Sequence, residues 1–169
     1  MGTTRCGRYL NTVGSATIVS DYAMVHSDEG DFCWRQIHIK GKPAKEIRLK
    51  AGGHGQNGMD LLDKFHIKYN VVITYPNGVR VGNVPDHHSK LKRNGTGQSW
   101  FPKDWSARKI RRAGEYVAQQ KRNLGTADGK VMYGTFYGVR VGVILTNGQI
   151  STVFPDNDQS SVVNRGGKK

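Results

Sequence analysis

The sequence predicts an α+β domain in which antiparallel sheets carry packed helices. Two segments alternate apolar and polar residues around turn dipeptides: YNVVITYPNGVRVGNV at 69–84 and KVMYGTFYGVRVGVILTNGQISTVFP at 130–155. Two others, 58–65 and 106–123, space their apolar residues as helices do. These hairpin signals argue against a doubly wound parallel sheet. A chain of 169 residues, 36% of them hydrophobic, suits one domain with a core of its own.

Taken in order, residues 1–30 are polar and weakly patterned, and CWRQIHIKG (33–41) is short enough for a helix or a strand. GMDLLDKF (58–65) places Met59, Leu62 and Phe65 on one helical face, with Asn57 available as a cap. Pro76-Asn77-Gly78 joins two strands. Segment 86–105, rich in Gly, His and Lys, is too polar for core and reads as an extended functional loop. Within it, Trp100, Phe101 and Trp105 suit a core better than a stacking platform, because F-P-x-x-W packs well before a helix. Ser106 caps the helix expected over 106–123. Its inner face carries Ile110, Ala113, Val117 and Ala118, and its outer face Arg108, Arg111, Arg112, Lys121 and Arg122. Three antiparallel strands follow over 130–155, with a turn at Asn147-Gly148, and the residues after Asp156 read as a frayed tail.

The charge balance points to the partner. Lys and Arg number 26 against 13 Asp and Glu, a net charge of +13. Such a surplus favours a polyanion through counterion release and long-range steering. RNA or DNA is the first candidate and an acidic protein the second. No apolar run approaches the roughly 18 residues of a membrane helix, and the N-terminus lacks the apolar stretch of a signal peptide. The opening reads as a cut from a longer chain. Cys6 and Cys33 are the only cysteines. Alone they cannot make a zinc site, and a disulfide between them suits an exported protein.

Segment 51–65, AGGHGQNGMDLLDKF, sets four glycines around His54 ahead of a helix. Gly53, Gly55 and Gly58 spell G-x-G-x-x-G, yet no acidic residue stands at the end of the following strand, as a dinucleotide site requires. Two readings remain open. The glycines let backbone amides approach a phosphate beside His54, or they simply form a turn.

The six histidines are 26, 38, 54, 66, 87 and 88. Asp86-His87-His88 suggests a His-Asn-His metal nuclease, but no ligand histidine follows on the later helix. A metal-free mechanism is therefore favoured. RNA cleavage without metal needs a base for the 2′-hydroxyl, an acid for the leaving 5′-oxygen and a cation for the phosphorane. Histidine fits the first two roles and lysine the third.

His38-Ile39-Lys40-Gly41 is followed by Gly52-Gly53-His54, sixteen positions from the first histidine to the second. GTGQSWFPKDWS (95–106) leads into a helix, and ISTVFP (150–155) closes the last strand. This series resembles the bacterial EndoU endoribonucleases, whose members carry H-I-x-x-G, G-G-x-H or G-G-H, G-T-G-x-x-x-F-P-x-x-W-S and T-x-aromatic-Pro in that order. The resemblance implies an EndoU-like core at 35–156, an N-terminal extension or subdomain at 1–34, and a tail at 157–169. It implies His54 as general base and His38 as general acid. Lys92 is preferred to Lys90 for the cation. Ser99 and Thr152 would lie near the base of the nucleotide, with Phe154 where uridine-preferring members carry a tyrosine. Gly53, Gly55 and His88 would touch phosphate, and His87 shares that reading; His66, at the helix end, is read as structural. No metal or cofactor is implied, manganese acting at most as an indirect stimulant. Many relatives are C-terminal toxin domains of contact-dependent growth inhibition and polymorphic toxin systems. That origin implies delivery as part of a larger effector, action on RNA such as tRNA in the target cytoplasm, an acidic immunity protein, and no membrane anchor in this chain. The competing class is a non-catalytic basic RNA-binding module.

Overall fold

The structure is a computed structural model and describes residues 14–163. Cys6 lies outside that range. Helix α1 (Asp21–Asp28) opens the fold, capped by the Ser20 hydroxyl, which accepts from the amide of Ala23. Strands β1 (Asp31–Ile39) and β2 (Lys42–Ala51) form a long two-stranded ribbon. Segment 33–41 is thus a strand and its turn. Lys40 and Gly41 both take positive φ, the conformation of a two-residue hairpin turn.

Helix α2 (Gln56–Lys64) follows the glycine segment. Its N-cap is Gly55, not the expected Asn57, whose side chain instead donates to Asp28 at 2.7 Å. Strands β3 (Asn70–Thr74) and β4 (Arg80–Asn83) make the hairpin expected around Pro76-Asn77-Gly78. Strand β5 (Gln98–Trp100) joins them antiparallel. The 86–105 segment is therefore only partly a loop: Gln98, Ser99, Trp100 and Phe101 are all buried.

Helix α3 (Ala107–Gln119) is capped by Ser106 and buries Ile110, Ala113, Val117 and Ala118, as its periodicity predicts. It stops before 123, where a separate 3₁₀ turn covers Lys121–Asn123. Arg111 departs from the solvated face expected for it. It donates to the carbonyl of Val19 at 2.7 Å and pairs with Asp21, tying α3 to α1. Strands β6 (Val131–Phe136), β7 (Val139–Thr146) and β8 (Gln149–Pro155) form the third antiparallel sheet. A short helix, α4 (Ser160–Val163), follows. Residues 157–163 are not frayed: Gln159 is fully buried, and its amide donates to the carbonyls of Arg140 and Asp156.

Two apolar clusters organise these parts. The larger packs α1 and α3 on the β6–β8 sheet. Gly114 permits the close approach of α3, since a Cβ there would lie 2.5 Å from a methyl of Val153. The smaller joins Leu49, Met59, Leu62, Val84 and Trp100 from β2, α2 and the β3–β5 sheet. A cleft between the two clusters holds the candidate site.

Candidate active site

The end of α1 and the glycine segment lie side by side, joined by backbone hydrogen bonds. The amides of Gly53, His54 and Gly55 donate to the carbonyls of His26, Ser27 and Asp28 at 3.0, 2.6 and 3.0 Å. Two residues with φ near +70°, Gly52 and Gly53, let the chain make this approach. A Cβ on Gly52 would stand 1.9 Å from the carbonyl oxygen of His26, and one on Gly55 1.7 Å from a carboxylate oxygen of Asp28. The glycines therefore serve a tertiary junction. The amides of Gly53 and Gly55 are engaged by α1 and are not free to cradle a phosphate, which corrects the reading of these two as substrate contacts.

The junction brings His26 and His54 to the wall of one cavity of about 320 Å³. Gly52, Lys92, Ser99, Ile144, Thr152, Phe154 and Asn157 complete most of its lining. His54 is only 5% exposed. Its Nδ1 lies 2.8 Å from the carbonyl oxygen of Ser99, an acceptor, so Nδ1 carries the proton and Nε2 keeps its lone pair. Burial pushes the imidazole well below its ordinary range, and the nearby Lys92 cation adds to the shift. A neutral imidazole with a free Nε2 is ready to accept a proton.

His26 is held differently. Its Nδ1 pairs with the Asp31 carboxylate at 2.7 Å, and its Nε2 lies 3.1 Å from the Thr152 hydroxyl. The carboxylate orients the ring and offsets a positive charge on it. The cavity thus presents two histidines held in different ways, one by a backbone carbonyl and the other by a carboxylate.

Lys92, in the 3₁₀ turn Lys90–Lys92, lines the same cavity. Its ammonium donates to Oε1 of Gln98 at 2.9 Å. Gln98 is fully buried, and its Nε2 donates to the carbonyl of Gly52 at 3.1 Å. One amide therefore ties the lysine to the backbone that presents His54. Burial lowers the Lys92 amine to about 8. The Ser99 hydroxyl is buried in the cavity wall with no partner among the described residues, a donor and acceptor open to a bound group. Phe154 packs against His54 with ring centroids 5.8 Å apart.

Of the residues singled out by sequence, the structure gathers His54, Lys92, Ser99, Thr152 and Phe154 in this cavity. His38 is not among them. It sits on β1 opposite Pro43, exposed and one residue short of the turn at Lys40-Gly41. The histidine that lines the cavity beside His54 is His26. Lys90 and His88 are exposed and do not line the cavity, because the 3₁₀ turn points only its last lysine inward. His87 is buried, its Nδ1 accepting from the amide of Ser89 at 2.8 Å. Burial, with Lys92 next in effect, drops it to about 4.

His26, Asp31 and Gln98 were not singled out in the sequence. A signal for the first was present: H-I-x-x-G places its glycine four residues after the histidine. His26 and Gly30 have that spacing, whereas His38 and Gly41 are one residue short. Nothing distinguishes Gln98 in a polar Gly-Thr-Gly-Gln-Ser run.

Among the described residues no helix is long and apolar enough to cross a membrane. No curated protein and no solved structure matches the chain. A family model described as bacterial EndoU nuclease matches residues 35–157, which include His54, Lys92 and Phe154 and begin after His26. With most of its length matched, the chain belongs to the bacterial EndoU nuclease family and is an EndoU-type endoribonuclease.

Proposed function

We propose that the protein cleaves RNA without metal, by transphosphorylation to a 2′,3′-cyclic phosphate. His54 Nε2 takes the proton of the 2′-hydroxyl. The freed oxygen bonds to phosphorus and the bond to the 5′-oxygen breaks. His26, backed by Asp31, gives its proton to that departing oxygen, and Lys92 compensates the added charge on the phosphorane. The observation that carries this reading is the convergence of one proton-accepting histidine, one carboxylate-backed histidine and a partly buried lysine on a single cavity. The side chains facing it are imidazole, ammonium, hydroxyl, amide and hydrocarbon. Among the described residues no group of three or more His, Cys, Asp or Glu is placed to hold a metal ion.

The test is incubation of total RNA in EDTA, with analysis of the fragment ends. Cleavage persists and leaves 2′,3′-cyclic phosphate with 5′-hydroxyl ends. Complete loss in EDTA with recovery in magnesium, or 5′-phosphate ends, overturns the reading. No cleavage in either buffer, with RNA still bound, favours a non-catalytic RNA-binding module.

The biological setting belongs to the same proposal. A +13 nuclease endangers the cell that makes it, which supports a toxin domain of a contact-dependent inhibition or polymorphic toxin effector. It would be secreted or delivered within a larger effector, act in the target cytoplasm on RNA such as tRNA, and be restrained by an acidic immunity protein. Charge complementarity makes that inhibitor's association salt-sensitive. A basic or neutral inhibitor bound equally well at low and high salt contradicts it.

A further inference from the structure

A second cavity, of about 400 Å³, opens on the other side of His26 and Thr152. These two residues line both cavities and form the wall between them, whereas His54 and Lys92 line the first alone. We infer that the second cavity receives the nucleoside on the leaving side of the scissile bond, with its base stacked on Tyr22. This rests on the role proposed above for His26.

The chemistry of the lining supports a nucleoside there and not a phosphate. Among the described residues no lysine or arginine lines the cavity, and Asp31 does. Gln149 supplies a neutral amide suited to a base edge or a ribose hydroxyl, beside the hydroxyls of Ser20, Thr146 and Ser151, which are held by bonds to Ala23, to each other and to the Ile144 carbonyl. Its volume is within the ordinary range for small-molecule sites. Tyr22, on the first turn of α1, is 76% exposed, and among the described residues no aromatic ring packs on it. An exposed aromatic at the rim of a polar cavity is a ready stacking surface for a base. The placement also follows from the reaction. The acid must stand beside the 5′-oxygen it protonates, so the nucleoside bearing that oxygen departs on the far side of His26 from the base, His54. Asp31 links the two functions, because it accepts from Nδ1 of His26 and also lines the second cavity.

The experiment uses short RNAs spanning one cleavage junction mapped in total RNA. The first has the natural nucleotide on the 3′ side of the junction, the second an abasic residue there, and the third a sulfur in place of the bridging 5′-oxygen. Removing the base slows the wild-type protein by about 5- to 100-fold, the range of one base–aromatic stack. Tyr22→Ala slows the natural RNA by a similar factor but slows the abasic RNA no further, since the two changes remove the same contact. Tyr22→Phe, which keeps the ring, restores the greater part of the rate lost in Tyr22→Ala. An abasic RNA cleaved as fast as the natural one overturns the subsite, and so does a Tyr22→Ala defect equal on both RNAs. The sulfur-containing RNA tests the supporting role by itself, because a thiolate leaves without help from an acid. It relieves the defect of His26→Ala if His26 is the acid. Failure of that rescue overturns the role of His26, whatever the base-stacking result.

Discussion

His54→Ala and His26→Ala each slow single-turnover cleavage of a susceptible RNA by about 10²- to 10⁴-fold, the usual worth of a positioned acid or base. His38→Ala, at the exposed ribbon tip, stays close to the wild-type rate. The three substitutions discriminate because the histidines differ in what surrounds them. His54 has one ring nitrogen fixed by the Ser99 carbonyl and the other free, and His26 has a carboxylate behind it. Circular dichroism establishes that each variant is folded. A folded His26→Ala protein with full activity removes His26 from the reaction, and a large loss in His38→Ala restores the ribbon histidine to it.

Lys92→Ala lowers turnover by about 10²- to 10³-fold, the cost of losing one charge-stabilising group, with little change in binding to an RNA lacking 2′-hydroxyls. Such a split marks a group that acts mainly in the transition state. Lys90→Ala shows the opposite pattern, with weaker binding and a salt slope reduced by about one. The pH profile carries the same information. Lys92 must keep its proton, and burial has lowered its amine to about 8, so activity falls as pH rises through about 8 at the latest. His54 must be without a proton. Its depressed value keeps it so until the pH drops well under the ordinary imidazole range. Lys92→Arg keeps its charge above pH 8 and loses the part of the alkaline fall that the amine contributes. An alkaline limb identical in the wild type and this variant, with Lys92→Ala unimpaired in turnover, removes Lys92 from the mechanism.

Local patterns made much of this architecture legible. Ser106 with Ile110, Ala113 and Val117 specified α3, and Asn147-Gly148 specified the last hairpin, because capping and turn chemistry act within a few residues. His54 and Lys92 were legible for another reason: the motifs around them match a family. His26 was missed because its spacing to Gly30 was passed over and its place beside His54 is set only in three dimensions. It becomes a partner of His54 when the α1 carbonyls meet the glycine amides, a junction formed across the whole length of the ribbon. The same pairing explains why the glycines looked like a phosphate cradle. Their conformational freedom was read correctly, but the carbonyls that engage them come from a segment with no marked pattern. Gln98 was illegible because a buried amide between a lysine and a carbonyl leaves no periodic trace.

The ribbon between Asp31 and Ala51 separates the two histidines in sequence, and the junction of α1 with the glycine segment closes at its base. The distance between the two rings is therefore independent of how much chain lies between them. Residues removed from or added to the tip in matched pairs change the ribbon's reach and leave the catalytic spacing as it was. Its exposed surface, including Trp34, Ile39 and Lys42, can therefore be altered without moving the two rings relative to one another.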